Sequence, residues 1–308
     1  KAHFNIYDPN IFLAKTYEKW GNFFSASEQY NVCILMDASN KLAYNMLWNL
    51  QKIRNELESA ENTIQRLGKY HPDLLDNVLA DFYKWILFTF REDLRITELY
   101  SYKYGLLMHR FMQSSPDEDW GESLELKPDI EIKDFENNFG EFIFYEKGDE
   151  NDKLIHEVVW REPNKIEKPL SSGVNMFKKV VSISVNNNVK ADAYAKMGDI
   201  YIRAKSNSKA LENYENCLNI SGDDIGIRSV AADCADQLYL FRKAFNHLTI
   251  LKDMNGLGFE DAMLLARYYM RLGERDQAVM LSDKMSSTHP DLSEEIEEDV
   301  INLYLRFG

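Results

Sequence analysis

Two acidic residues and a lysine in the middle of the chain have types and spacing that could support hydrolytic chemistry. Asp117 is followed, after thirteen residues, by Glu131, and Lys133 comes two residues later. An extended strand would place Glu131 and Lys133 on the same face, because side chains alternate along a strand. Paired carboxylates bind hard divalent cations, and such a cation activates bound water. The pattern therefore offers metal-assisted hydrolysis as one function.

This segment resembles the PD-(D/E)xK nucleases, because Pro116–Asp117 and Glu131–Ile132–Lys133 have the spacing of that motif. The resemblance implies that the two acids hold a divalent metal and that the lysine helps to position the attacking water. Against it, Glu125–Leu126–Lys127 supplies a second copy of the short pattern nearby, and an acidic surface disfavours DNA. A metal-dependent nuclease-like enzyme with its site in residues 116–169 is therefore the alternative function.

No other catalytic or metal-binding pattern is complete in the sequence. His156 and Glu157 form half of a zinc protease motif, which lacks its second histidine. The six histidines form no metal-ligand pair at a useful spacing. A phosphate-binding glycine loop, a nucleophile elbow and a Cys-x-x-Cys motif are absent from the sequence. We therefore expect no catalytic residue, no metal and no cofactor.

The charge of the chain bears on the kind of partner. The net charge is −14, which argues against nucleic acid as the main ligand because an acidic chain repels phosphates. Residues 117–168 contain 17 acidic and 7 basic residues, so much of the excess lies there. This distribution predicts either a solvated insertion or an acidic docking surface.

Cysteine usage and hydropathy indicate a compartment. The three cysteines are odd in number and scattered through the chain, at Cys33, Cys217 and Cys234. A reducing compartment is the simplest inference, so we expect a cytoplasmic protein. The most apolar stretch, residues 74–90, contains three charged residues, so we expect no transmembrane span.

Residues 1–115 are predicted to form an N-terminal helical region with a long helical hairpin. Apolar residues recur every three or four positions from Met46 to Leu67, which is the heptad period of a long helix with one narrow seam. Gly68 and Pro72 would end this helix, and a second long helix would follow it in an antiparallel hairpin. Alternatively, the 46–67 seam pairs with a second copy, which would make the protein a homo-oligomer or a self-assembling structural component.

Residues 116–169 are predicted to form a small antiparallel β insertion of acidic character. Apolar and acidic residues alternate at Leu124–Leu126 and Ile130–Ile132, as in half-buried strands. Two further segments, Glu141–Glu146 and Leu154–Trp160, flank a polar, glycine-containing loop. This arrangement is typical of a β-hairpin.

The C-terminal third repeats itself every 34 residues. Ala210, Ala244 and Ala278 occupy the same column when residues 191–224, 225–258 and 259–292 are aligned. Small and apolar residues fill neighbouring columns at helical spacing in all three segments. A 34-residue period predicts a stacked array of helix–turn–helix units, which buries its core between neighbours and leaves a face for a partner.

Residues 191–224 resemble a tetratricopeptide repeat (TPR), which places aromatic, glycine and alanine residues at fixed offsets. The matches are Tyr194, Met197, Gly198, Tyr201, Ala210, Tyr214, Cys217 and Gly222. The later repeats depart from the pattern at Arg228, Ala235 and Ser282. The TPR superfamily resemblance, over roughly residues 173–305, implies a mostly α protein: a TPR-type α-solenoid with an N-terminal helical region and a small antiparallel β insertion. Residues 170–308 would form the TPR array with capping helices.

An earlier segment has the first half of the same pattern. Tyr17, Trp20, Gly21 and Phe24 follow its spacing, whereas Asp37 stands where the second half needs an aromatic residue. We interpret this segment as a degenerate repeat.

The TPR resemblance also implies a binding groove, because the first helix of each repeat lines the concave face in that family. By the family's pattern, the groove residues are Asp192, Asp199, Arg203, Asp233, Asp236, Glu260, Met263, Arg267, Met270 and Arg271. The groove is therefore predicted to be acidic in its first two repeats, with arginines and methionines at its far end. Such a surface suits a peptide or helix with a basic segment and an apolar anchor.

The sequence as a whole predicts a non-catalytic protein–protein interaction adaptor, scaffold or assembly chaperone. A partner peptide or helix would bind in the concave TPR groove. The carboxylate clamp of chaperone-binding TPR domains is not matched, since Ala195 and Asp199 occupy its first positions. A carboxylate ligand would be repelled there.

Overall fold

A computed structural model describes residues 9–114, 141–148, 154–161 and 168–288, together with residues 290 and 296. Only the backbone is described for residues 141–148 and 154–161. The chain divides into two compact units, residues 1–172 and residues 173–308. The residues proposed for a nuclease site, Asp117, Glu131 and Lys133, lie outside the described part of the chain, as do Leu124–Leu126 and Ile130–Ile132.

The first unit contains six helices among its described residues, and they pack as consecutive pairs. Their bounds are α1 Pro9–Lys19, α2 Phe23–Met36, α3 Lys41–Ile53, α4 Leu57–Gly68, α5 Pro72–Thr89 and α6 Leu94–Ser114. Helix α1 packs on α2, α3 on α4, and α5 on α6, and the pairs join through α2 with α3 and α4 with α5. Buried side chains of α1 to α4 form one continuous apolar core.

The predicted long helix over residues 46–67 is wrong, because a turn at residues 54–56 divides it into α3 and α4. Asn55 has a left-handed backbone with a φ of 58°, and the Glu56 N–H donates to the Gln51 carbonyl at 2.9 Å. Asparagine adopts this conformation at little cost, so the heptad pattern continues in sequence across a break in the helix. The second predicted long helix is likewise divided into α5 and α6, with a turn at residues 90–93.

The proposed dimer seam is therefore not available as one helical stripe. Leu50, Ala60, Ile64 and Leu67 are buried inside their own unit, and Ile53 is exposed at the end of α3. Side chains that already pack within one chain cannot form a coiled coil with a second copy unless the unit opens.

The second unit repeats the same helix-pair construction. Its helices are α7 Pro169–Ile183, which begins just before the unit boundary, α8 Asn187–Arg203, α9 Asn207–Ser221, α10 Ile225–Gln237, α11 Phe241–Asp253, α12 Phe259–Arg271 and α13 Arg275–Thr288. Helices α8 and α9, α10 and α11, and α12 and α13 form pairs, and the pairs join through α9 with α10 and α11 with α12. The predicted C-terminal capping helix lies outside the described residues, apart from Ile296.

One turn geometry recurs in five of the helix pairs. A left-handed residue ends the first helix at Gly21, Asn55, Lys205, Tyr239 and Gly273. The N–H of the next residue donates to the carbonyl five residues before it, at 2.8–2.9 Å. This is the hydrogen bond of a Schellman motif. Five residues after each left-handed residue comes a buried alanine: Ala26, Ala60, Ala210, Ala244 or Ala278.

The shared turn extends the repeat geometry into the first unit, to α1 with α2 and to α3 with α4. The partial pattern from Tyr17 to Phe24 does not start a repeat, because it covers the end of α1, the turn and the start of α2. Tyr30, which is fully buried, is the large aromatic residue of the second helix, and Asp37 follows that helix. The interpretation of a degenerate repeat therefore had the wrong register.

Two antiparallel strands are described in the first unit. They are β1 Glu141–Gly148 and β2 Leu154–Arg161, with Glu141 opposite Arg161 and Gly148 opposite Leu154. These strands coincide with the two segments, Glu141–Glu146 and Leu154–Trp160, for which the sequence predicts a β-hairpin. The rest of residues 116–167 lies outside the described part of the chain, so the bounds of a separate insertion stay a prediction.

Candidate functional site

The ten residues predicted to line a groove all lie on the first helices of three pairs, α8, α10 and α12. Two of these first helices, α10 and α12, are joined directly, because the Tyr268 hydroxyl on α12 donates to Asp236 Oδ1 on α10 at 2.5 Å. Burial, together with this carboxylate, raises the pKa of Tyr268. We call the predicted groove residues on these three helices that are not buried the first-helix strip: Asp192, Asp199, Arg203, Asp233, Asp236, Glu260, Arg267 and Arg271.

Met263 and Met270 do not belong to this strip. Their side chains are 6% and 3% exposed, so they are core residues of the third pair. They lie seven residues apart on α12, next to the buried Ala262 and Tyr269. The prediction that they offer an adaptable apolar anchor is wrong, because the third pair uses this face of α12 for its own packing.

Asp199 is held by the second helix of its own pair. The Tyr214 hydroxyl on α9 donates to Asp199 Oδ1 at 2.9 Å, and Lys196 Nζ lies 3.8 Å from Oδ2. Burial is the main cause of a raised pKa at Tyr214, and Asp199 adds to it. The hydroxyl remains neutral, so it fixes the carboxylate without cancelling its charge.

Asp233 lies at the exposed surface of α10 and receives a hydrogen bond from an amide. Gln237 Nε2 donates to Asp233 Oδ2 at 2.7 Å, and Gln237 Oε1 accepts from Asn207 Nδ2 at 2.6 Å. Asn207 is the first residue of α9. A polar chain therefore runs from the first pair to the second beside the acidic residues.

The basic residues of the first-helix strip are concentrated towards α12. The Arg271 guanidinium lies 5.3 Å from the centroid of Phe241 and 5.9 Å from that of Tyr268. Arg267 is exposed one turn earlier on the same helix, and Glu260 is exposed near its start. That these residues form one groove, acidic on α8 and α10 and mixed on α12, stays a prediction.

A buried polar cluster joins the first two pairs away from the strip. In the aligned repeats, Arg228 occupies the position that Tyr194 occupies in the first repeat. The Arg228 guanidinium donates to Asp223, and its Nη1 lies 3.3 Å from His247 Nδ1. His247 Nε2 is 3.7 Å from Glu215, which also receives Lys243 at 2.8 Å. Burial and the neighbouring Arg228 lower the pKa of His247. Sequence reasoning noted Arg228 only as a departure from the repeat pattern.

An aromatic cluster at the turn between α10 and α11 was also missed. Tyr239, Phe241 and Tyr268 follow one another at centroid distances of 6.0 and 6.2 Å. Tyr239 and Phe241 are exposed. The signal in the sequence was the run Tyr239–Leu240–Phe241, which stands where the other turns have mostly polar residues.

Other kinds of site are lacking in the described part of the chain. Within it, no three histidine, cysteine, aspartate or glutamate side chains come together as ligands for a metal ion. None of the described helices is long and apolar enough to cross a membrane. Cys33, Cys217 and Cys234 are buried and form no disulfide with one another, and burial raises the pKa of Cys234 to about 11.

Comparison with known proteins gives a family for part of the chain. The family model described as tetratricopeptide repeat matches residues 191–224, which cover α8 from Ala191 onward, all of α9 and the turn after each helix. The chain therefore carries a tetratricopeptide repeat, and the recognition made from the repeat pattern is confirmed. No curated protein matches the sequence.

Several solved structures align along most of the chain. PilF of Pseudomonas aeruginosa is 12% identical with a TM-score of 0.41, over 95% of this chain and 96% of that one. PilW, a type IV pilus biogenesis factor, is 11% identical with a TM-score of 0.39, over 96% and 98%. YrrB, a TPR protein with an unusual peptide-binding site, is 12% identical with a TM-score of 0.39, over 88% and 99%. Likeness at this level carries no argument about ligands.

Proposed function

We propose that this protein is a non-catalytic interaction adaptor that holds a basic segment of a partner protein along the first-helix strip. The tetratricopeptide repeat at residues 191–224 is a module that generally serves protein interaction, although a fold alone does not name a ligand. Scaffold and assembly chaperone are the forms of this role that we expect. The observation that carries the proposal is the arrangement of carboxylates on α8 and α10.

Four carboxylates face the partner on these two helices: Asp192, Asp199, Asp233 and Asp236. Asp199 and Asp236 are fixed by tyrosine hydroxyls from other helices. A carboxylate that is already oriented loses less conformational entropy when a cation binds. Tyrosine is a neutral donor, so its hydroxyl orients each carboxylate without adding a positive charge, although Lys196 also lies 3.8 Å from Asp199.

The charge effect can be given a magnitude. An exposed ion pair contributes about 0.5 kcal/mol, so four pairs would contribute about 2 kcal/mol. This corresponds to an affinity that is roughly 30-fold higher for a basic peptide than for a neutral peptide of the same shape. The preference should disappear in about 1 M salt, where the screening length falls to about 3 Å.

The test is a peptide array in which lysine and arginine content varies at constant length. We expect the wild type to select basic peptides and the variant Asp192→Lys/Asp233→Lys to lose them by at least about tenfold. The matched control is Asp253→Lys/Asp283→Lys, which changes the net charge equally at exposed positions on second helices. If the control and the strip variant lose binding equally, only net charge matters and the proposed site is wrong.

Location and self-association are two further expectations. A cytoplasmic location would suit three buried cysteines that form no disulfide with one another, and fractionation of the native cell with an antibody against this chain would test it. Self-association through residues 46–67 is not proposed, because those side chains are buried in their own unit.

A further inference from the structure

The turns between paired helices in the second unit form a continuous edge with unusual composition. The Asn207 side chain at the start of α9 bonds to Gln237 at the end of α10. In the next pair, Phe241 at the start of α11 packs against Tyr268 near the end of α12. The α8–α9, α10–α11 and α12–α13 turns therefore lie side by side, and we call this surface the turn edge.

Tyr239 occupies the most demanding backbone position of its turn. Its φ is 59°, at the register position that holds Gly21, Asn55, Lys205 and Gly273 in the other pairs. A bulky residue in the left-handed region is strained, and glycine or asparagine is favoured there. The Tyr239 side chain is 78% exposed, so the fold gains little burial in exchange for this strain. Strained positions of this kind cluster at binding and switch sites.

Apolar residues extend from Tyr239 along the turn edge. Leu240 is exposed at the position where the other pairs carry Asn22, Glu56, Ser206 or Glu274. Phe241 and Leu272 are also exposed, and Tyr239 meets Phe241 edge to face at 6.0 Å. Large apolar residues that replace polar ones at a solvent-facing register position mark a contact surface better than a scattered exposed residue does.

The charge of the turn edge is opposite to that of the whole chain. Arg271 places its guanidinium over Phe241 and Tyr268, so the cation lies beside the exposed rings. The turns and adjoining helix ends carry five basic residues against three acidic ones, namely Arg203, Lys205, Arg242, Arg271 and Arg275 against Asp236, Glu274 and Asp276. A locally basic, aromatic surface on a chain of net charge −14 is complementary to an acidic partner.

We propose that the turn edge, centred on Tyr239, Phe241 and Arg271, is a second docking surface, which shares Arg271 with the first-helix strip and binds an acidic protein segment that carries an aromatic or large aliphatic residue. The apolar residue of the partner packs on the Tyr239 and Phe241 rings, and a neighbouring carboxylate pairs with Arg271. Aromatic and arginine side chains in this combination are the residue types that carry most binding energy at interfaces. A nucleic-acid strand is the competing occupant of a basic, aromatic surface, and the oligonucleotide competition described below tests it.

The test uses fluorescein-labelled 12-residue peptides that contain one tryptophan among acidic residues, with a matched peptide in which lysines replace the acids. Anisotropy titration should show the acidic peptide binding the wild type at least tenfold more tightly than the lysine peptide. Tyr239→Gly, which relieves the left-handed strain, should weaken the acidic peptide at least tenfold, and Arg271→Glu should weaken it further. Asn55→Gly makes the same backbone change in the first unit and should alter affinity less than twofold.

Several outcomes would overturn the proposal. They are equal affinity for the two peptides, unchanged affinity in Tyr239→Gly, and displacement of the acidic peptide by a single-stranded oligonucleotide at equal concentration. Circular dichroism of each variant shows whether it is folded; if Tyr239→Gly unfolds, Tyr239→Asn takes its place, since asparagine also accepts the left-handed backbone. The strip variant Asp192→Lys/Asp233→Lys should bind the acidic peptide at least as well as the wild type. Failure of one surface is therefore distinguishable from failure of the other.

Discussion

Gly198 on α8 is the position where the packing of the first repeat allows a sharp prediction. A Cβ atom at this residue would collide with three ring atoms of Tyr214. The Tyr214 ring is buried and its hydroxyl is fixed by Asp199, so it cannot move aside without breaking that hydrogen bond. Gly198→Ala should therefore force the two helices of the pair apart, although alanine is the better helix former.

The magnitude follows from two opposing effects. Overpacking a buried contact costs about 1–3 kcal/mol, whereas replacing glycine by alanine inside a helix stabilises by about 1 kcal/mol. The net loss in the free energy of unfolding is then about 0–2 kcal/mol. Urea denaturation followed by circular dichroism measures it, with a midpoint shifted to lower urea and an unchanged slope.

The chain provides a matched control for this measurement. A Cβ atom at Gly226, at the start of α10, meets only Asp224 Oδ1 at 3.5 Å. Gly226→Ala should therefore stabilise slightly, by about 0.5 kcal/mol, through helix propensity alone. The reasoning is refuted if Gly198→Ala is as stable as Gly226→Ala, or if its effect is unchanged when Tyr214 is truncated to alanine to remove the ring.

Two further predictions concern polar contacts of the second unit. Tyr268→Phe removes the hydrogen bond to Asp236 and should lower the free energy of unfolding by about 1 kcal/mol. The control, Tyr70→Phe, changes a half-exposed ring and should lower the free energy of unfolding by less. Urea midpoints compare the two variants, and equal losses would contradict the link between neighbouring repeats. Burial and Arg228 lower the pKa of His247 in the folded state below its ordinary value of 6.5. When the pH falls below 6.5, the unfolded chain therefore binds a proton at His247 more readily than the folded chain does. The free energy of unfolding should therefore fall as the pH drops through 6.5, and it should fall less in His247→Gln. The prediction is contradicted if the wild type and His247→Gln lose stability equally between pH 7.5 and 5.5.

The repeat register of the second unit could be predicted from sequence because it depends on residue size at buried positions. Ala210, Ala244 and Ala278 must be small for paired helices to approach, so their 34-residue spacing is visible without coordinates. The same register in the first unit was missed because the segment from Tyr17 to Phe24 was aligned to the wrong columns, although Tyr30 follows Ala26 by four residues as Tyr214 follows Ala210. There the signal is in the backbone, at Gly21 and Asn55, and a left-handed φ has no unambiguous sequence mark.

For the candidate site, too, one part could be predicted from the sequence and another could not. The helices that carry the acidic residues followed from the repeat pattern, whereas the partners of those residues did not. Tyr214 lies 15 residues from Asp199, and Tyr268 lies 32 residues from Asp236, so each contact depends on how neighbouring helices are packed. Met263 and Met270 were assigned to the surface by column alone, and the packing of α12 buries them.

The most direct test of the proposed function locates the bound partner rather than measuring its affinity. Hydrogen–deuterium exchange on the wild type, with and without the tightest basic peptide from the array, reports which helices become protected. We predict that the peptide slows exchange on α8 and α10 and leaves exchange on the second helices α9, α11 and α13 unchanged. Protection confined to the second helices, or spread evenly over the unit, would contradict the claim that the first-helix strip receives the partner.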